Sequence, residues 1–158
     1  MDELHVTSPA FSEGGWIPKR HTGFGENLSP ELRLTGLCSE TASLCVVLDD
    51  LDIPFLGEMN HWVMWNVPPT DVLPAGVPSG DHPAWPTGAV QGIGYGKHCY
   101  AGPKQPPFIR AAHRYRFTVY ALDCLLDLPV TAHKADLVHA AAGHVLQTGT
   151  LMGRYQRG

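Results

Sequence analysis

A mainly β fold is what this chain of 158 residues predicts, and three observations predict it. Its 17 glycines and 14 prolines are spread along the whole length rather than gathered into a linker, the pattern of many short elements joined by turns. Two apolar runs and one strictly alternating segment have strand length and end on turn residues. Helical spacing of apolar residues occurs in a single stretch, near the C-terminus.

The first strand is LCVVLDDLD from Leu44, in which Leu44, Val46, Leu48, Asp50 and Asp52 share one parity and so one face while the strand stays regular. HWVMWNVP from His61 reads as a second strand, stopped by Pro68 and Pro69. From there to Phe108 the chain is dense in Gly and Pro and leaves little room for regular structure; loops of that length in a compact domain are usually functional or disordered. RYRFTVYALD alternates: Tyr115, Phe117, Val119 and Ala121 point one way, with His113 of the same parity, and Arg114, Arg116, Thr118 and Tyr120 the other. The spacing of Leu137, Val138, Ala141, Ala142, Val145 and Leu146 predicts an amphipathic helix over 131–147, weakened by Gly143. TGTLMGRY, from Thr148 to Tyr155, turns and returns as a closing strand.

The length fits one domain, 1–158, with no repeat and no dividing linker. With 44% hydrophobic and 16% charged residues the composition is globular, and a net charge of −4 gives no general attraction to nucleic acid or to anionic lipid surfaces. The N-terminus has acidic residues where a signal peptide needs positive charge, and no segment approaches a membrane span, so the chain reads as cytoplasmic without stable membrane insertion. Cys38, Cys45, Cys99 and Cys124 lack CxxC spacing and are too few for a disulfide scaffold; Cys45 and Cys124 read as core, and Cys99 beside His98 as the thiol whose reactivity is worth testing.

No nucleophile elbow, phosphate loop or dinucleotide fingerprint is present, and no cofactor motif. His133, His139 and His144 lie six and five residues apart, not the three or four of a metal-binding helix face. What stands out is DLDIP, Asp50 to Pro54, followed by His61: two carboxylates, a rigid turn and an imidazole at strand ends. Taken alone these residues leave several readings open. The acids could be turn formers bonding their own backbone, His61 a satisfied core histidine, His113 and Tyr115 part of a packed strand face, or Asp50, Asp52, His61 and His113 a divalent-ion site.

Seven segments in order, SPAF, ENLSPELRL (26–34), DLDIP, NHWVMWNVP, YAGPKQPP, HRYRFTVYALD and GHVLQTGTLMGRY, together resemble the phosphatidylethanolamine-binding protein family, in its bacterial and archaeal Raf kinase inhibitor-like, YbhB/YbcL-type branch. The resemblance covers nearly the whole chain. It implies a sandwich of two antiparallel sheets with Greek-key connections, a C-terminal helix and few short helices. It also implies a small anion-binding pocket built from a DPDAP segment, a strand-initial His, a GPxPP loop and an HxY motif. By position these are Asp50 and Asp52, His61, Gly102 and Pro103, and His113 with Tyr115; Pro54, Lys104, Pro106 and Pro107 fall on the rim. By the same analogy Ile53-Pro54 is a candidate cis peptide. Leu51 and Ile53 replace the family's inner Pro and Ala, and Met59 and Asn60 stand where many relatives have an aromatic or a second His, which reshapes the rim.

Two ionised aspartates facing an anion would repel it by several kcal/mol at about 4 Å in an effective dielectric near 20. Protonated His61 or His113, backbone N–H groups around Gly102 and the Tyr115 hydroxyl are the groups that could reverse that sign. The expected function is a non-catalytic binding module for a small anionic or phosphorylated ligand, able to modulate a protein partner such as a kinase or protease, with a homodimer left open. A hydrolase using His61 or His113 as general base, and an assembly protein with a vestigial pocket, are the alternatives.

Overall fold

The structure is a computed structural model and describes residues 3–158. Strands β1 (His5–Thr7), β2 (Leu32–Thr35), β3 (Ser43–Ile53), β4 (Gly57–Val67), β5 (Val72–Leu73), β6 (Val90–Gln91), β7 (His113–Leu122) and β8 (Val145–Tyr155) are joined by one α-helix, α1 (Lys134–Ala141), and a 3-10 turn at Lys19–His21. They form two antiparallel sheets, β1-β2-β5 and β6-β4-β3-β7-β8. β3 and β4 make a hairpin; β7 then lies on the opposite side of β3, reached by the long 68–112 connection.

The larger sheet is covered on both faces, and alternation along β3 shows how. Leu44, Val46 and Leu48 join Val6, Leu32 and Leu34 of the smaller sheet, with Trp62, Met64 and Phe117, in the core between the sheets. Cys45 and Val47 face the other way and pack with Val63, Trp65 and Leu122 against Leu137 and Ala141 of the helix. That is why β3 reads as a continuous apolar run: both of its parities are buried. Burial pushes the Cys45 thiol up to about 12, an inert core group. Cys124 is only half-buried at the edge of the second core.

Two sequence expectations are corrected. The helix is eight residues long, not seventeen; Gly143, at φ +84, takes the left-handed conformation past its end, and Val145 and Leu146 belong to β8. Ile53-Pro54 is trans, and among the described residues the cis peptide is Trp85-Pro86. The irregular 68–112 connection is tied down by buried Gln91, which accepts from the Trp62 indole at 2.7 Å and donates to the carbonyls of Pro78 and Gly80 at 2.9 and 2.8 Å. No helix among the described residues is long and apolar enough to cross a membrane.

Candidate ligand-binding cleft

The end of the larger sheet where β3 and β4 turn and β7 begins holds a cleft of about 200 Å³. It is lined by Asp50, Ile53, Met59, His61, Tyr95, Gly102, Lys104, Gln105, Pro106, Ile109, His113 and Tyr115. Alternation delivers three of these. Asp50 continues the inward parity of Leu48, and Tyr115 is its register partner on β7. His113, two residues earlier, points the same way.

His61 arrives by a different route. Regular alternation would send it outward with Val63 and Trp65, into the helix-side core. Between β3 and β4 the register runs Leu48 to Trp62 and then Asp49 to Asn60, so His61 is the extra residue of a β-bulge. The bulge turns the imidazole into the cleft and is plugged by Asn60, whose amide donates to the Leu48 and Trp62 carbonyls and to the Asp49 carboxylate, each at 3.1 Å. The 92–97 turn packs over it: the Tyr95 N–H donates to the Asn60 carbonyl at 3.1 Å, and the Tyr95 ring lies 4.7 Å from that of His61.

The polar centre is an aspartate–histidine pair. Asp50 Oδ2 accepts from His113 Nδ1 at 2.8 Å, with each side chain only 3% exposed, while Oδ1 accepts the Asp52 N–H at 2.9 Å. The Asx turn considered for Asp50 therefore forms, and the pair forms with it. Burial, the Asp50 charge and a hydrogen bond to that carboxylate push the Tyr115 phenol well above its ordinary value, so it stays protonated. His61 directs Nδ1 at the Ala101 carbonyl, 2.8 Å away, so that nitrogen carries the proton. Burial pushes the His61 imidazole below its usual value, against the raising effect of the Ala101 carbonyl and of Asp50 and Asp49.

Of the residues singled out in the sequence, Asp50, His61, Gly102, His113 and Tyr115 converge on the cleft, with Lys104 and Pro106 at its mouth. Asp52, Pro54, Pro103 and Pro107 do not line it. Asp52 faces outward and takes both Arg114 Nε and Nη2, at 3.0 and 2.8 Å, plus the Arg114 backbone N–H at 2.7 Å; the guanidinium holds its carboxyl below the usual range. The four-residue ion site considered above is therefore not assembled. The Gly102 N–H is not free for an anion either, because it donates to Asn27 Oδ1 at 2.8 Å. Glycine is required at 102 by close approach: a Cβ there would run into the His21 carbonyl oxygen. Pro103 serves the frame, its carbonyl accepting the Gly23 N–H at 2.8 Å.

Sequence reasoning missed Tyr95, Gln105, Ile53 and Ile109 as lining residues, whereas Met59, named above for the rim, does line the cleft. For Tyr95 a signal existed, an aromatic inside the glycine-rich GIGYGKH turn; for Gln105 none did beyond its place in the loop. Cys99 lies in a separate cleft with Asn27 and Tyr100. Elsewhere, exposed Asp123 binds His144 Nδ1 at 2.9 Å, and Cys124 completes a group of metal-ligating atoms within 4.8 Å whose polar groups already satisfy one another.

The family model described as phosphatidylethanolamine-binding protein matches residues 7–156. A UPF0098 protein of Methanothermobacter thermautotrophicus is 41% identical over 157 residues, covering 98% of this chain and 100% of that protein. Another, from Pyrococcus abyssi, is 36% identical and covers 99% of this chain and 87% of its own. Among solved structures, a phosphatidylethanolamine-binding protein homolog from Chlamydia trachomatis superposes with a TM-score of 0.87 at 33% identity, covering both chains in full. E. coli YbcL, described as a member of the mammalian PEBP family, gives 0.85 at 27%, covering 99% of this chain and 100% of that one.

Proposed function

We propose that this chain, which belongs to the phosphatidylethanolamine-binding protein family, is a non-catalytic binding domain whose cleft takes a small anionic ligand of the phosphate or phosphoryl head-group type. The observation that carries the reading is the buried Asp50–His113 pair. With Nδ1 held by the carboxylate, His113 keeps Nε2 for a ligand in a cleft that His61 and Lys104 also line. Electrostatics support an anion better than the sequence did: Asp52 is neutralised by Arg114 outside the cleft, and Asp50 stands behind a histidine. At about 200 Å³ the cleft is smaller than the roughly 300–1,000 Å³ of drug-sized sites, which suits a head group rather than an acyl chain. Phe55 and Leu56 at the β3–β4 tip, with Phe108 after the 102–107 loop, are exposed apolar residues of the kind a protein partner would cover, and a kinase or protease modulated through this end is part of the proposal.

Titration calorimetry with a phosphomonoester tests the reading. Saturable binding that strengthens as pH falls through about 6–7 is expected; affinity flat between about pH 5.5 and 8 contradicts it. The same Asp50–His113 geometry favours one second reading, a hydrolase with His113 as general base toward water. No Ser, Thr or Cys lines the cleft to act as nucleophile. Turnover of phosphate esters, acyl esters or peptides that is lost in His113→Ala would replace the binding module with that enzyme.

A further inference from the structure

Two buried polar atoms of the cleft have no partner in the protein: His61 Nε2 and Gln105 Oε1. Both side chains are at least nine-tenths buried, His61 5% and Gln105 3% exposed. Their roles are fixed by what the rest of each group does. His61 gives its one proton, on Nδ1, to the Ala101 carbonyl at 2.8 Å, so Nε2 presents a lone pair. Gln105 gives its amide N–H to the Tyr155 carbonyl at 2.9 Å, so Oε1 is the end left over. Two unsatisfied acceptors in one small cleft call for hydrogen-bond donors on the ligand.

We infer, building on the anion-binding reading above, that the cleft selects protonated oxyanions: a phosphoryl group carrying P–OH donates to His61 Nε2, and a second hydroxyl, where the ligand has one, donates to Gln105 Oε1. The ligand supplies the proton, and His61 stays a neutral acceptor. The groups around it are consistent with that. Asp50 and Asp49 of β3 would favour an imidazolium, His113 of β7 opposes one, the Tyr95 and Tyr115 rings pack against the imidazole, and the exposed Lys104 lines the mouth. Lys104 supplies charge attraction at the mouth, and the acceptors beneath supply discrimination. A fully ionised anion would satisfy the first and leave the second unpaired.

Three tetrahedral monoanions of equal charge separate the contributions at pH 5.5: dihydrogen phosphate has two hydroxyl donors, monoanionic methyl phosphate one, and methyl sulfate none. Calorimetric affinities should fall in that order, by about tenfold or more per donor lost. Gln105→Met should bring the first two together and preserve the gap to methyl sulfate. Raising the pH through the second phosphate pKa of about 6 should weaken methyl phosphate and leave methyl sulfate unchanged. Equal affinity for all three, or a common gain for methyl phosphate and methyl sulfate at low pH, would show an imidazolium supplying the proton; it would overturn this inference while leaving the anion pocket standing. No binding of any of the three, or binding of ethanolamine alone, would overturn both.

Discussion

The two acids of DLDIP sit two residues apart and do opposite things. Asp50 is buried, accepts from His113 and from the Asp52 N–H, and stands at the floor of the cleft. Asp52 is 28% exposed, is clamped by a guanidinium that is itself 52% exposed, and lies outside the cleft. Shared parity holds only while the pleat does. The β3–β4 register shifts between Asp50 and Ile53, at the hairpin's end, and beyond that point alternation no longer decides where a side chain goes. Depth sets the energetics: a buried hydrogen-bonded pair cannot lose one partner cheaply, whereas a surface pair exchanges its partner for water.

The largest expected effect breaks the buried half of this comparison. Asp50→Ala leaves His113 Nδ1 and the Asp52 N–H without their acceptor and should lower unfolding free energy by about 2–4 kcal/mol in urea denaturation. A loss as small as that from Asp52→Ala would mean that the two acids are equivalent after all. Next comes the loop that roofs the Asp50 end. Gly102→Ala forces a methyl against the His21 carbonyl and strains the Asn27 hydrogen bond, with an expected cost of about 1–3 kcal/mol and weakened phosphomonoester binding.

Acid titration separates the two ends by pH. The folded pKa values of His61 and His21 are lowered, so the unfolded chain binds more protons below the ordinary histidine value of about 6.5. Their contribution is intact above that pH and is lost as pH falls through the folded values. The carboxyl of Asp52 is lowered instead, so its contribution persists below pH 5 and fades only under the ordinary aspartate value of about 3.9. Melting temperature followed from pH 7.5 to 5 should therefore drop in the wild type and in Asp52→Asn alike, and drop less in His61→Gln. The smallest effect belongs to the surface pair: Arg114→Gln should shift the melting temperature by no more than about 3 °C, less in high salt, with ligand affinity unchanged.

Much of this was legible in the sequence. The continuous run in β3 and the alternation in β7 place Asp50, His113 and Tyr115 correctly, because both strands hold their register as far as the cleft. The joining of the 102–107 loop to them came from the order of the motifs, since no local pattern brings residues fifty positions apart together. Three things were not legible. His61 depends on a bulge, a one-residue shift that leaves no mark in the alternation itself, although Asn60, which fills it, was visible as an unusual residue there. The Gly102 N–H looked free because its acceptor, Asn27, lies 75 residues away. The helix was overextended because Val145 and Leu146 fit the helical period as well as the strand they form, and the left-handed turn at Gly143 decides between them.

The central claim is that His61 and His113 together meet a phosphorylated small ligand that leaves the cleft unchanged. Side-chain nitrogen and carbon resonances of the nine histidines, followed by NMR during a methyl phosphate titration with the phosphorus signal recorded in parallel, test it most directly. The account predicts saturable shifts confined to His61 and His113, loss of that response in His113→Ala, and a phosphorus spectrum showing bound ester and no released phosphate. Shifts centred on the exposed histidines, or none at saturating ester, would contradict it.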